Sequence, residues 1–152
     1  NTQRKITDLG LKHTNLLPVN AVIFSSRATI GQISIAKVET STNQGFKSFI
    51  CYSDLIDYEY LYYILQHLRP VFESLIPSGS KYKEINSSTI QSFLIPVPAD
   101  ISTQRAIAKK CIDIDASAPD ILRSGVSLRD LPGVIAKKKR TVFDAVVTIG
   151  KQ

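Results

Sequence analysis

Residues 25–46, SSRATIGQISIAKVETSTNQGF, decide how this chain is read. At their centre Ile33 and Ile35 alternate with polar neighbours, the two-residue period of a half-buried strand. Upstream, AVIFS (21–25) is apolar and β-branched; downstream, GFKSFICY (45–52) is rich in aromatic and β-branched residues. Three strands are therefore expected, separated by loops at 27–31 and 39–45. Those loops and their edges concentrate side chains able to hydrogen-bond: Ser25, Ser26, Arg27, Thr29, Gln32, Asn43 and Gln44. Such groups serve either the chain's own backbone or something outside it.

Beyond the strands the period changes. In DYEYLYYILQHL (57–68), Leu61, Ile64, Leu65 and Leu68 fall at helical spacing behind Asp57, whose short carboxylate suits an N-cap. Pro70 kinks that helix or begins a second, with Val71, Phe72 and Leu75 on its apolar face. SGSKYKEIN (78–86) reads as a loop. FLIPVP (93–98), with its alternating prolines, suits an edge strand or an extended exit. The globular part, residues 1–99, ends there, and a helical tail, residues 100–152, follows.

In that tail Ile107, Ile114, Ile121, Leu128, Ile135, Val142 and Ile149 recur at every seventh position, the spacing that holds one helix against another. The companion positions are poor in apolar side chains. Pro119 and the Pro132–Gly133 pair interrupt any continuous helix, an interior proline costing about 3 kcal/mol. Two or three pieces are expected, 101–118, a doubtful middle and 134–148. They form either a coiled-coil seam for a partner helix or a helix packed back on its own domain.

The bulk properties bound the rest. A chain of 152 residues, 43% of them hydrophobic, can bury one ordinary core. No apolar run approaches the roughly 18–20 residues of a membrane span, and the start NTQRKITDLG lacks a signal-peptide pattern, so a cytoplasmic location and no membrane partner are expected. The absence of methionine even at position 1 implies a start inside a longer reading frame. Cys51 and Cys111 have no ligand-spaced companions and read as small buried hydrophobes; neither His13 nor His67 has a metal or catalytic partner in the sequence. The net charge of +6 points to an anionic partner, and the excess is local: six basic against two acidic groups in residues 1–50, and ten against five after residue 100.

Catalytic patterns are missing. There is no phosphate-binding glycine loop, no G-x-G-x-x-G, no H-E-x-x-H and no G-x-S-x-G, and Asp113 and Asp115, two apart on a helix, face different ways. A non-enzyme is expected.

Several pieces, LLPVNAVIFSSRATIGQISIAKVETSTNQGF (16–46), DYEYLYYIL (57–65), IPSGSKYKEINSSTIQSFLIPVP (76–98) and STQRAIAKK (102–110), occur in an order that resembles the target recognition domain of type I restriction-modification specificity subunits. The resemblance covers residues 6–112 and, more loosely, KKKRTVFDAVVTIGKQ (137–152), similar to the end of that family's spacer helix. It implies an α/β (α+β) recognition domain with packed helices that reads one half of a split double-stranded DNA site and feeds a helical, coiled-coil-like spacer. It also implies a methyltransferase subunit and an endonuclease subunit as partners, with a second recognition half or a second copy paired through the tail. No cofactor is expected in this chain itself; S-adenosylmethionine, ATP and Mg belong to the family's partner subunits. Similar domains are fused to methyltransferases in single-chain type II enzymes, and a protein-interaction scaffold that never touches DNA is the competing class. Three departures stand out: one recognition domain is present, the strands that would precede Ile6 are absent, and Pro119 and Pro132 fall where the spacer would be unbroken.

Under the DNA reading, specificity needs amide, hydroxyl and guanidinium groups on loops beside cations that neutralise phosphates. Arg27 would meet a guanine edge or a phosphate, and Gln32, Asn43 or Gln44 an adenine edge, with Ser25, Ser26 and Thr29 nearby; Lys37 and Lys47 suit phosphates. Ser78, Ser80, Lys81 and Lys83 form a second candidate loop. Against this, Asn43 and Gln44 precede Gly45, where side-chain amides often satisfy loop backbone, and the 78–83 loop and Lys137–Arg140 also read as solvated surface.

Overall fold

Val22 and Phe24, both fully buried, mark the centre of a three-stranded antiparallel sheet in the computed structural model of the chain, which describes residues 6–76 and 84–149, the last six by backbone alone. Strand β1 (Val22–Ser25) lies between β2 (Ile33–Ile35) and β3 (Phe46–Phe49). The register sets Val22 opposite Ile35 and Phe49, and Phe24 opposite Ile33 and Lys47. Because side chains alternate along a strand, this register places Val22, Phe24, Ile33, Ile35 and Phe49 on one face. All three strands lie within the segments expected from the sequence, β2 by alternation and β1 and β3 by their apolar, β-branched and aromatic content.

Onto the sheet packs helix α2 (Tyr58–His67), begun by Asp57, whose carboxylate accepts from the amides of Glu59 and Tyr60 at 3.0 Å each. That cap satisfies two of the four amides that a helix start leaves without partners. Tyr60, Leu61, Tyr63, Ile64 and Leu65 are buried, a stripe wide enough to contact the sheet on one side and later helices on the other. Helix α3 (Arg69–Ser74) follows at once, with Pro70 in its first turn where a missing amide hydrogen costs nothing. Its Phe72 packs edge-on against Phe24 at 5.0 Å between ring centroids and reaches Phe93 at 4.6 Å. Two short helices escape the sequence patterns: α1 (Asp8–Leu11), capped by Thr7, and α4 (Ser87–Ser92), capped by Asn86. Both are too short to show a period.

The exit segment 93–98 is extended without joining the sheet. Its prolines cannot donate to a ladder, yet their carbonyls still need partners, and side chains supply them. The Tyr60 hydroxyl donates to the Pro96 carbonyl at 2.6 Å, and burial pushes that phenol up to about 12. Gln104, fully buried on α5 (Ile101–Ala116), donates to the carbonyls of Pro98 at 2.7 Å and Leu55 at 3.0 Å and accepts from the Asp57 amide at 2.9 Å. One side chain thus joins the exit, the approach to α2 and the tail.

The tail folds back on the domain. After α5 come α6 (Ala118–Arg123) and α7 (Leu131–Ile149); Pro119 and Pro132 each lie in the first turn of a helix, and Gly125, at φ +95°, turns the chain between them. Helix α7 packs on α5 and α2, with Phe143 buried beside Tyr60 and stacked on His67 at 4.9 Å. Lys139 clamps it, 2.6 Å from Asp115 and 4.7 Å from the centroid of the Tyr63 ring, while the Tyr63 hydroxyl donates to the same carboxylate at 2.9 Å. Of the two readings of the sevenfold positions, the described residues follow the second, helices packed back on their own domain. Ile107 and Ile121 are buried in the chain's own interior, Ile114, Ile135 and Val142 are half-buried, Leu128 is exposed between helices, and the Ile149 side chain lies outside the described residues. Three helices broken at 117 and 124–130 cannot carry one continuous seam, and no coiled coil is present among the described residues. The main apolar cluster also draws on residues from both sides of position 100, Ile107, Cys111 and Phe143 packing with Val22 and Phe24.

Replacing Gln104 by Ala is expected to lower the free energy of unfolding by about 2–4 kcal/mol, because two carbonyls and one amide lose their partner inside the protein. Urea denaturation measures it; an unchanged midpoint would show that Gln104 is not the joint described.

Candidate nucleic-acid interface

At the end of β1 the chain turns with Ser25 and Ser26 buried, and it does so by bonding three loops to one another. Ser26, fully buried, donates its amide to the Gly45 carbonyl at 2.9 Å and its hydroxyl to the same oxygen at 3.1 Å. Its own carbonyl accepts from the Ile85 amide at 3.0 Å. Ser25 is also buried; its hydroxyl donates to the Arg27 carbonyl at 3.0 Å, while its amide and carbonyl bond Gln32 and Gly31. Both serines, expected as outward-facing contacts, serve the loop backbone instead, since a buried hydroxyl without a partner would cost about 1–3 kcal/mol.

What these bonds leave outside is cationic and amide-bearing. Arg27, Thr29 and Gln32 are exposed on the β1–β2 loop. Asn43 and Gln44 are exposed on the turn beside it, and a Cβ placed on Gly45 would lie 3.8 Å from the Cβ of Arg27, so turn and arginine are in contact. Asn43 accepts the Gly45 amide on its Oδ1 at 2.9 Å. A two-bond pairing with an adenine edge needs that oxygen free, so Gln32 and Gln44 are the better candidates for it. Lys47 is half-buried opposite Phe24 at the edge of the same corner. Lys37 is elsewhere: it follows Ala36, whose amide bonds the Ala21 carbonyl at the far end of the sheet. Ser78, Ser80, Lys81 and Lys83 lie outside the described residues, but the chain resumes at Glu84, paired with Arg27 both by a backbone bridge and by an ion pair of 2.8 Å. Glu84 was missed in the sequence, where it looks like one more charge in a polar loop.

Arg69 was missed as well. Its stem crosses the β1–β2 loop at Gly31, where φ is +81° and an added Cβ would come within 2.9 Å of the Arg69 Cγ. No local pattern announces a contact between residues so far apart in the chain. Burial pushes the thiols of Cys51 and Cys111 up to about 11, so both stay protonated at neutral pH. Among the described residues no group of His, Cys, Asp or Glu is placed to hold a metal ion, and no helix is long and apolar enough to cross a membrane.

The structure is thus a small sheet backed by helices, with an exposed arginine, exposed amides and a half-buried lysine gathered on bonded loops at one corner. The family described as the type I restriction modification DNA specificity domain matches residues 1–123, and the chain belongs to it. Over 107 residues it is 35% identical to the type I restriction enzyme MjaIX specificity subunit of Methanocaldococcus jannaschii, taking in 68% of this chain and 24% of that protein. Over 108 residues it is 26% identical to the type I restriction enzyme EcoprrI specificity subunit of Escherichia coli, taking in 69% and 27%. The crystal structure of the type I restriction-modification system S subunit from M. genitalium shares the fold, with a TM-score of 0.58 at 19% identity over 72% of this chain and 29% of that one. The chain spans about a quarter of the length of the curated relatives it matches.

Gly31→Ala is expected to destabilise the chain by about 1–2 kcal/mol, from left-handed backbone strain alone, with displacement of Arg69 added to it. Thermal denaturation of the variant beside Ala28→Gly, which relieves a non-glycine residue at φ +56°, should move the two midpoints in opposite directions.

Proposed function

We propose that this chain is the non-catalytic, sequence-reading part of a type I restriction-modification system, which binds half of a bipartite double-stranded DNA site and directs a methyltransferase subunit and an endonuclease subunit to it. Membership of the DNA specificity family carries the reading, and the corner built on Ser26 supports it with the required chemistry. In this account Arg27 reads a guanine edge or grips a phosphate, Gln32 and Gln44 read adenine edges, Thr29 and the Asn43 amide add donors, and Lys47 neutralises a phosphate. Lys81 and Lys83, whose positions lie outside the described residues, are assigned to further phosphates by the same reading. Lys37, at the other end of the sheet, contributes charge at a distance.

Residues 1–99 carry the reading surface and residues 100–152 the assembly surface. Pairing with a second recognition half, or with another copy, cannot use all of the sevenfold positions while Ile107 and Ile121 are inside the domain, so the proposed assembly face is the outer side of the tail helices. The proposed site of action is the cytoplasm, where DNA, S-adenosylmethionine, ATP and Mg are available to the partner subunits.

Selection of bound duplexes from a random pool, followed by titration of the selected duplex at several salt concentrations, tests this. Affinity is expected to fall steeply with salt, by about 0.9 in log–log slope for each phosphate neutralised. Arg27→Glu and Gln44→Ala are each expected to weaken the selected duplex by about 1–3 kcal/mol if they read bases, with unrelated duplex little changed by Gln44→Ala. Failure to enrich any sequence, or an affinity indifferent to salt, would defeat the reading.

A further inference from the structure

Between Gly31–Gln32–Ile33, the join of α2 to α3, and α7 lies a cleft of about 560 Å³. Tyr63 and Phe143 provide its apolar lining, with the His67 ring stacked on Phe143. Gln32, Gln66, Arg69, Lys139 and Arg140 provide polar groups, and no carboxylate lines it among the residues whose side chains are described. The cations are not equally engaged. Lys139 is held by Asp115 and Arg69 by Glu73 at 2.9 Å, whereas Arg140 is exposed and forms no ion pair with any residue whose side chain is described. Cations of one sign over low-dielectric walls focus potential on whatever anion enters. A guanidinium adds two parallel donors that match phosphate oxygens.

The cleft is continuous with the recognition corner: Gln32 belongs to both, and Arg69 crosses the loop at Gly31. We propose that it takes a phosphodiester of the bound duplex, gripped between Arg69 and Arg140 with Gln32 at its lip, so that the tail helix α7 contributes to DNA binding. This rests on the DNA-reading function above. It gives part of the basic run at 137–140 a task that sequence alone assigned to solvent. Free phosphate offers the same chemistry, and the experiment separates the two.

The full chain, Arg140→Gln, and the Arg69→Gln/Arg140→Gln pair are titrated with the selected duplex and with an unrelated duplex across salt concentrations, and with inorganic phosphate at matched ionic strength. Lys12→Gln, which removes one charge at the end of α1 and does not line the cleft, is the control. The log–log salt slope is expected to fall by about 1 for the single variant and about 2 for the pair, with both duplexes weakened by the same factor and Lys12→Gln smaller in effect. Because Arg140 is exposed, the single variant carries the test even if the pair folds poorly. Duplex binding with slopes retained in the Arg140 variant overturns the proposal alone, as does saturable phosphate binding lost in that variant while duplex affinity is kept. A wild-type chain that binds no duplex overturns both this proposal and the function it rests on.

Discussion

The recognition corner depends on the hydrogen bonds of Ser26. Fully buried, this residue bonds the Gly45 turn with two donors and the Ile85 segment with its carbonyl, so three loops that enter from different parts of the chain are held as one surface. Loops pack this closely only when their buried amides and carbonyls are paired, since each orphan costs about as much as a typical single mutation. The hydroxyl-rich character of residues 25–46 follows from that need. Short hydroxyls turn inward to satisfy backbone, and the long cationic and amide side chains, which cost more conformational entropy to bury, stay outside.

Elements with a long repeat or a strong cap could be read without coordinates. Ile33 and Ile35 gave β2 by alternation, and Asp57 gave the start of α2 by its spacing from Leu61, Ile64 and Leu65. Single turns could not: α1 and α4 have four and six residues, too few for a period to appear. The sevenfold aliphatic positions show a subtler limit. A heptad reports that a helix has an apolar stripe but not whose surface covers it, and here the chain covers Ile107 and Ile121 itself. In the site, residue type pointed to Arg27, Gln32, Asn43 and Gln44 at exposed positions, while Ser25 turned to the backbone of its own loop at Arg27, Gly31 and Gln32, and the buried fate of Ser26 depended on Gly45 and Ile85, partners fixed by tertiary structure. Glu84 and Arg69 were hidden for the same reason.

Docking of α7 has a consequence for assembly. Phe143 contacts Tyr60 and His67, and Lys139 joins Asp115 and Tyr63, so the helix is tied to α2 and α5 by one large aromatic and one partly shielded ion pair. Burial and the bond to Asp115 raise the Tyr63 phenol, so it remains a proton donor to that carboxylate at neutral pH. Truncating a buried aromatic typically costs about 3–5 kcal/mol, so moving α7 onto a partner helix would need an interface that returns a comparable amount. A partner meeting the outer side of the tail avoids that cost. Among the α7 side chains described, Lys137, Lys138 and Arg140 are exposed cations, which favour an acidic surface or DNA over an apolar helix on that part of the tail.

Arg27 poses the remaining physical question, because it is already ion-paired to Glu84 at 2.8 Å. Its side chain is 46% exposed and that of Glu84 37%, a setting in which solvent screening leaves such a pair worth at most about 1 kcal/mol. Exchanging Glu84 for a phosphate or a guanine edge therefore costs little in lost attraction. In return the ion pair fixes the guanidinium while the Arg27 stem lies against the Gly45 turn, so under the proposed DNA reading fewer rotamers would have to be frozen on binding. Glu84 also repels phosphate, so an Arg27 that merely neutralised backbone would be better without it. A carboxylate beside the arginine makes more sense where discrimination is wanted, because it weakens contacts with DNA in general and leaves the geometry of one base contact to recover the difference.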